Sequence, residues 1–462
     1  MSTNNHNNGF VPHDVRNGRE VLVTDDRTGD VYAGSWVESL IDEGADDLTF
    51  GTFDDPIRGP DEPARVPYEM LFRHAFLSGS SGMGKSVAAG RRLHHAIRHG
   101  FGVGLIGGKS VDIDNVLRTL PADRVDDVVY IALNNDEPEG DLTVGFNILQ
   151  VKAHPDTPEF EREVTEIVNL VFDFVNSNGV MSGRAESGFR ALLKLFVTAE
   201  APYTLVDVCH ALSEDDGIES VLDAESAHVT NFERECIEEW TADETLIQPV
   251  LRRLMMFCES QLYRNLLSSP DGLPFSLITE GQKLLFVSLQ DVEGQNTKGA
   301  IATLLSNALW RSRYAYGGTQ KPFMLCLDEL DVFDTGGLML EEMLSQGRSL
   351  EFAVTLSVQM VGNLSENTRK SLANIDSFYA FSPGPNKSEA GRISQALGVN
   401  GTRLMQLNPY HCFTRLYRND GSQTDPLEVS LFAPPVPVRS ELDVDKLKML
   451  SRQKYGVQYN TD

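Results

Sequence analysis

The stretch Gly79-Ser80-Ser81-Gly82-Met83-Gly84-Lys85-Ser86 decides the fold. Its pattern of Gly, any four residues and Gly-Lys-Ser is that of a loop that cradles phosphate. Glycines at 79, 82 and 84 let the backbone turn tightly enough for its N–H groups to point at phosphate oxygens, and a helix starting near Lys85 adds its positive dipole end. Working outward, residues 73–78 (RHAFLS) read as a short apolar strand and residues 85–99 as a helix stopped by Gly100. Far downstream, residues 321–333 (KPFMLCLDELDVF) read as a buried strand ending in two carboxylates, Asp328 and Glu329. In such a pair of halves, Lys85 bridges the β- and γ-phosphates and Ser86 ligates Mg²⁺. Asp328 holds that ion through its water shell, and Glu329 polarises the attacking water. Ser80, Ser81, Met83 and Val87 complete the expected cradle, and the adjacent second carboxylate argues for hydrolysis. The cofactors expected are ATP and Mg²⁺.

A chain of 462 residues with 41% apolar content can form two or three domains with real cores. Its 67 acidic and 40 basic residues leave a net charge of −27. Such acidity ordinarily argues against a nucleic-acid partner, which needs a local positive surface. It equally suits a protein that folds in molar salt, where carboxylates keep the surface hydrated and their repulsion is screened. On the second account, the balance points to a halophilic source and says little about DNA. The five cysteines, at 209, 236, 258, 326 and 412, have no metal-type spacing and read as buried or incidental thiols of a reducing cytosol. No stretch approaches the roughly 18 continuous apolar residues of a membrane span, and the start MSTNNHNNGF has no secretory signal pattern. A cytoplasmic location without an integral membrane segment is expected.

The fold class expected is α/β, with a mainly parallel central sheet, an all-α insertion and a small N-terminal β-rich module. The polar residues 1–18 read as a disordered tail. Residues 19–64 form the β-rich module, with EVLVT and VYAG as strands and a break at the Pro/Gly/Asp-rich stretch 54–63. The core starts at 65 and runs to 155, with further strands at FGVGLIG (101–107) and VVYIA (128–132). From 156 to 278 apolar residues recur at helical spacing, as in Val164, Ile167, Val168, Val171 and Phe172. Within that insertion, residues 205–244 carry thirteen acidic residues and one basic residue, Arg234, so that face is solvated. The core resumes over 279–435 with strands at KLLFVSL (283–289), 323–328, 352–358 and 377–381, then edge strands at 412–417 and 427–432. A charged tail closes the chain at 436–462.

The segment LLSQGRSLEFAVTLSVQ adds Arg348 at the end of a helix and Gln359 at the carboxyl end of the next strand. Two roles fit each from sequence. Arg348 is either a dipole partner or a group reaching a neighbour's γ-phosphate, and Gln359 is either a satisfied strand-end amide or a sensor of the γ-phosphate. Taken together, GSSGMGKS, LCLDELDVF, QGRSLEFAVTLSVQ and NIDSFYAFSPG resemble the HerA–FtsK superfamily of P-loop ATPases. Within it they are most like the TraG-type coupling ATPases of conjugative DNA transfer and the HerA-like translocases. Supporting text includes VPYEMLFRHAFLSG, VVYIALNNDEPEGDLTVGFNIL and ITEGQKLLFVSL, so the likeness covers about 66–399. It implies a RecA-like ATPase that forms a homohexameric ring and pumps DNA, with Lys85, Glu329, Arg348 and Gln359 catalytic and Ser86 and Asp328 at the metal. With the acidity of the chain it points to a haloarchaeal cell, plasmid or virus as the source, and it implies a partner nuclease, relaxase or virion protein, with virion association if the source is viral.

The chain departs from that pattern after the P-loop helix, where LIGGKSVD lacks the usual strand-end aspartate: either Asp112 substitutes for it, or the contact is absent and the segment is a simple turn. An assembly-associated or protein-remodelling ATPase is the alternative function. Asn147 reads as a turn-stabilising amide and His74 as a packed histidine. Arg184, Arg190, Lys194, Arg311 and Arg313 are the candidate DNA contacts, each more simply read as a solvated helix charge.

Overall fold

Unbroken apolar runs in this chain become strands covered on both faces, and alternating runs become strands covered on one face, as parallel and antiparallel pairing respectively require. The computed structural model describes residues 10–16, 20–25, 31–33, 48–55, 59–133, 142–176, 181, 183–259, 261–316, 321–334, 339–416, 422–435 and 437–458. Its strands are β1 (Phe10–Arg16), β2 (Glu20–Asp25), β3 (Val31–Ala33), β4 (Leu48–Asp55), β5 (Gly59–Val66), β6 (Ala75–Ser78), β7 (Gly102–Gly107) and β8 (Val128–Ala132). They continue with β9 (Leu142–Thr143), β10 (Leu284–Ser288), β11 (Phe323–Leu327), β12 (Phe352–Val358), β13 (Ser377–Ala380), β14 (His411–Thr414), β15 (Leu427–Leu431) and β16 (Val457–Gln458). An eleven-stranded sheet takes the order β5-β4-β15-β14-β13-β6-β12-β11-β7-β10-β8. Every residue of β6, β7, β10, β11 and β12 is buried, whereas β15 alternates buried and half-buried.

The chain forms two compact units. The first comprises Met1–Ala96, Cys326–Asp331 and Ala353–Val436. In it β6 has parallel neighbours on both sides, Ser78 lying opposite Val358 of β12 and Ala380 of β13. Beyond β13 the pairing is antiparallel through β14, β15, β4 and β5. The strands β14 and β15 are therefore interior, not edges as their sequence suggests, because the β4–β5 hairpin pairs along β15. The Pro/Gly/Asp-rich stretch also differs from expectation: its residues 59–63 belong to β5. Pro60 and Pro63 are compatible with a strand there because β5 is the sheet's edge, where a missing N–H breaks no ladder. β1, β2 and β3 form a separate antiparallel sheet. Of the polar tail, residues 10–16 form β1 and the remainder lies outside the described residues.

The second unit comprises Ile97–Leu325, Val332–Phe352 and Pro437–Asp462. β10 is parallel to both β7 and β8. Between β9 and β10 the described residues contain helices and no strand. The helix Pro158–Val175 is started by Thr157, whose hydroxyl accepts from the Phe160 N–H, and by a proline at its first turn. It buries Val164, Ile167, Val168, Val171 and Phe172, the residues whose spacing marks it in the sequence. Helices Leu205–Ser213 and Asn231–Thr241 each begin in a capping box, Thr204 with Asp207 and Thr230 with Glu233. Gly188 lets the helix Arg184–Thr198 close on Trp240, since a Cβ there would stand 2.3 Å from the Trp240 Cβ. Phe189 fills the same core, its ring 5.6 Å from that of Trp240.

The closing residues are not simply a charged tail. The helix Glu441–Tyr455 is capped by Ser440 and Asp443 and buries Val444, Leu447 and Ser451. Ser451 Oγ accepts from the Tyr130 N–H of β8 at 2.8 Å, and Lys448 pairs with Asp114 at 2.7 Å. Among the described residues, no helix is long and apolar enough to cross a membrane.

Two of the candidate DNA contacts are core residues instead. Arg313 is fully buried, donating to Glu280 at 2.7 Å and to the Leu350 carbonyl at 2.9 Å. Arg311 lies at 2.7 Å from Glu166, 3.4 Å from Asp173 and 3.6 Å from Glu342. Burial pushes the Glu166 and Asp173 carboxyls up, against the attraction of Arg311. Arg190 and Lys194 are occupied too, by Glu186 and Glu233. Replacing Arg311 by methionine removes the cation that Glu166, Asp173 and Glu342 share. Arg311→Met is expected to destabilise the chain by about 3–5 kcal/mol in urea unfolding, whereas a solvated arginine would cost almost nothing.

Candidate active site

The first unit assembles its polar side chains where β6, β11 and β12 end. After Ser78 the chain leaves β6 as the glycine-rich loop and enters the helix Lys85–Arg98, whose first turn is closed by Ala88 N–H donating to the Gly84 carbonyl. Two backbone bonds fasten the loop to adjacent strand ends: Gly79 N–H donates to the Val358 carbonyl at 3.3 Å, and Ser80 N–H to the Ser382 carbonyl at 2.9 Å. Gly79 has φ of 145°, and a Cβ there would stand 2.6 Å from the Phe381 Cβ. No other residue type fits that approach.

The ammonium of Lys85 is buried and folds over the loop, donating to the Gly79 carbonyl at 2.5 Å and the Ser80 carbonyl at 3.1 Å. Ser81, Gly82 and Ser86 are exposed, Ser80, Met83 and Val87 half-buried and Gly84 buried. The loop thus has a solvent-facing side, with one cation folded back on its first two carbonyls. Asp328, directly after β11, is buried, and its Oδ1 accepts from the Glu329 N–H at 3.2 Å. Glu329 itself has φ of 62°, a conformation that non-glycine residues rarely adopt and that strained functional turns often hold.

Gln359 follows β12 and donates from Nε2 to Glu329 Oε1 at 3.2 Å. Its backbone N–H donates to Asp331 Oδ1 at 3.3 Å. The first unit therefore joins Gln359, Glu329 and Asp331 in one hydrogen-bonded group, with Asp328 bonded to Glu329. Asp331 is the member that reading the sequence does not single out. The signal is present in DELD, three residues beyond Asp328, but only the backbone contact to Gln359 gives it a task. Burial pushes the Asp331 carboxyl up, against hydrogen bonds from the Gln359 and Met360 backbone, and the negative charge of Glu329 adds to the rise.

Arg348 belongs to the second unit. It lies in the 3-10 turn Gly347–Leu350 that follows the helix Leu340–Gln346, not in the helix itself, and it is exposed. The turn is closed by Glu351 in the left-handed conformation, its N–H donating to the Arg348 carbonyl at 3.2 Å. Asp112, on the helix Ser110–Arg118, is half-buried. Asn147 holds a turn as expected, its Oδ1 accepting from Leu149 N–H and its Nδ2 donating to the Tyr203 carbonyl. His74 is fully buried, its Nδ1 accepting from Val354 N–H at 3.1 Å.

No family model matches the sequence, and no curated protein matches it. Among solved structures the fold is similar to that of the plasmid coupling protein TrwB in complex with the non-hydrolysable ATP analogue ADPNP. That likeness has a TM-score of 0.56 at 14% identity and covers 94% of this chain and 100% of that one. It is similar also to the bacterial conjugative coupling protein TrwBdeltaN70 in its unbound monoclinic form, with a TM-score of 0.54 at 13% identity over 86% and 91% of the two chains. VirB4 of Thermoanaerobacter pseudethanolicus gives a TM-score of 0.55 at 14% identity over 87% and 100%. The common feature at these identities is the fold.

Because its folded pKa is raised, Asp331 is penalised when ionised. The penalty is absent below the ordinary aspartate value of 3.8, grows as pH rises through the raised folded value and is constant above it. Asp331→Asn should therefore be more stable than the parent at neutral pH, and the gain should vanish at the acid end of that window. Urea titrations at the two ends measure it; a pH-independent difference would show that the carboxyl is not held against ionisation.

Proposed function

We propose that the chain is an ATPase of the HerA–FtsK superfamily, of the TraG-like coupling class, that hydrolyses ATP to move DNA as a homohexameric ring. The observation that carries this reading is the hydrogen-bonded group Asp328, Glu329 and Gln359 on strand ends beside the loop that bears Lys85. The similarity in fold to nucleotide-bound TrwB supports it.

The residues fit ATP and Mg²⁺ on their own chemistry. The loop is glycine-rich, with Gly79 and Gly84 packed too closely on Phe381 and Tyr410 to carry side chains, and it holds a buried cation at Lys85. Ser86 and Asp328 are hard oxygen donors of the kind Mg²⁺ takes in small number beside phosphate and water. When bound, the nucleotide and its ion supply the phosphoryl group and neutralise its charge. Lys85 exchanges its contacts with the Gly79 and Ser80 carbonyls for phosphate oxygens. Glu329 orients a water and takes its proton, and Gln359, already bonded to Glu329 Oε1, steers that carboxylate. Arg348, exposed at its turn, is assigned to the neighbouring subunit's γ-phosphate.

We place the protein in the cytoplasm of a haloarchaeal cell, or in the cell or virion of a plasmid or virus of such a host. In this reading the chain comprises a tail 1–18, a β-rich module 19–64, an ATPase core 65–155 and 279–435 with an all-α insertion 156–278, and a closing segment 436–462. A partner nuclease, relaxase or virion protein would supply the chemistry absent from this chain's motifs.

Steady-state ATP hydrolysis in molar KCl, with and without single- and double-stranded DNA, tests the reading. Hydrolysis stimulated by DNA is expected. DNA-independent turnover would move the function to assembly or protein remodelling. Lys85→Ala should abolish turnover, and robust residual hydrolysis would sink the site assignment. Glu329→Gln should bind ATP while turning over about 10²–10⁴-fold more slowly, the usual worth of a general base. Arg348→Ala should be inactive alone and regain activity when mixed with Lys85→Ala, because one intact finger and one intact loop then meet at some interfaces. Mixtures as inactive as their components would remove Arg348 from a role between subunits.

A further inference from the structure

The turn Asn408–His411 in the first unit is closed by His411 N–H donating to the Asn408 carbonyl at 3.1 Å, with Pro409 at its second position and Tyr410 at its third. Tyr410 has φ of 66°. This is a type II arrangement, in which the third position requires positive φ and is ordinarily glycine or asparagine. A bulky aromatic there is strained, and strain of this kind persists where surrounding bonds over-determine it. Both backbone groups of Tyr410 are so held: its N–H donates to the Met83 carbonyl of the glycine-rich loop at 2.8 Å, and its carbonyl accepts from Leu431 N–H at 2.8 Å. The backbone of Tyr410 is thus bolted to the loop, yet half its surface remains in solvent, at 50% exposure.

The placement of the ring is specific. A Cβ added to Gly84 would stand 3.2 Å from the Tyr410 Cα, from its ring carbon Cδ1 and from Cε1 of the buried Phe381. Gly84 therefore sits between two aromatic rings, of which one belongs to the buried core and the other to the half-exposed Tyr410, and it directly precedes Lys85 and the exposed Ser86 in the chain. Glycine at 410 would make the same two backbone bonds without strain, so the bonds alone do not account for tyrosine. What the side chain adds is a half-exposed aromatic ring against Gly84 of the glycine-rich loop.

We infer that Tyr410 stacks on the purine base of the nucleoside triphosphate whose phosphates the loop holds, and so is a binding residue of that site. The inference rests on the ATPase reading above and adds a contact to the base, which the loop and the carboxylates do not recognise. A base stacked on an aromatic side chain is worth about tenfold or more in affinity, and any base has a face to offer. Tyr410 consequently contributes to affinity for purine nucleotides and not to affinity for the phosphate chain.

The test compares Tyr410→Gly, Tyr410→Phe and the parent, all full chains, for binding of ATP·Mg²⁺ and of tripolyphosphate·Mg²⁺ by calorimetry, with melting temperature recorded for each. Tyr410→Gly is expected to melt at or above the parent temperature, to bind ATP about tenfold more weakly and to bind tripolyphosphate unchanged. Tyr410→Phe should restore ATP binding. Unchanged ATP affinity in Tyr410→Gly overturns the inference while leaving the ATPase reading intact. Equal weakening toward ATP and tripolyphosphate also overturns it, since the ring would then act only by supporting the loop. Failure of the parent itself to bind ATP is a separate result, which would overturn the ATPase reading and this inference together.

Discussion

The close seat of the glycine-rich loop on two parallel strand ends governs the rest of the first unit. Ser78 faces Val358 on one side and Ala380 on the other, so β6, β12 and β13 finish at one level. The chain must then leave β6 through a gap that Phe381 almost closes, and only a residue without a Cβ passes at Gly79. That single restriction fixes where the loop begins and which N–H groups are used to hold it. It also sets the level of Val358, after which Gln359 leaves β12 and meets Glu329 and Asp331. In a parallel sheet the carboxyl ends of the strands gather on one edge, and polar groups that a core cannot accept collect there. Lys85, Asp328, Glu329 and Gln359 are such groups, and each is supported by a hydrogen bond that fixes its position.

Much of this architecture is legible in the sequence because burial on both faces writes itself as an uninterrupted apolar run. GVGLIG, FMLCL and FAVTLSV each read as a strand and each is one. The helical spacing of Val164, Ile167, Val168, Val171 and Phe172 is equally direct. What escapes reading is set by partners far along the chain. Nothing in Gly59–Val66 says that an edge position will tolerate its prolines, and nothing in Leu427–Leu431 says that β4 will cover it. Arg311 and Arg313 look like solvated charges on an ordinary helix until Glu166 and Glu280 are brought to them. In the site, the loop and the carboxylate pair are local patterns, whereas Asp331 and Tyr410 acquire meaning only through backbone contacts to Gln359 and Met83.

The charge of the chain takes on a different aspect in this light. Several of its cations are committed to internal pairs: Arg124 with Asp127, Lys283 with the same aspartate, Lys448 with Asp114, and Arg311 with three carboxylates. A cation so engaged contributes little to an external field, because its partner cancels it at short range. The excess of acid is therefore not relieved by these residues, and whatever positive surface the protein offers to a phosphate backbone must come from other ones. High salt screens the remaining repulsion and at the same time weakens counterion release on DNA. On the proposed function, a chain of this composition would grip DNA by shape and by hydrogen bonds more than by net attraction.

Strain sets the last constraint. Glu329 and Tyr410 both occupy the left-handed region, where glycine would be easier, and both lie in the unit that carries the glycine-rich loop. Neither is required for its turn to form: the Asp328 carboxylate already holds the Glu329 N–H, and the Met83 carbonyl already holds that of Tyr410. The side chains are thus the reason the strain is kept. At Glu329 the left-handed turn redirects the chain immediately after the buried Asp328, so that consecutive carboxylates take separate positions, one held in the core and one half-exposed and bonded to Gln359. Two acids that must do different work at one strand end cannot share the alternating directions of an extended strand without one of them pointing into the neighbouring layer. A left-handed residue is the economical solution, and it agrees with the separate roles proposed for the two acids.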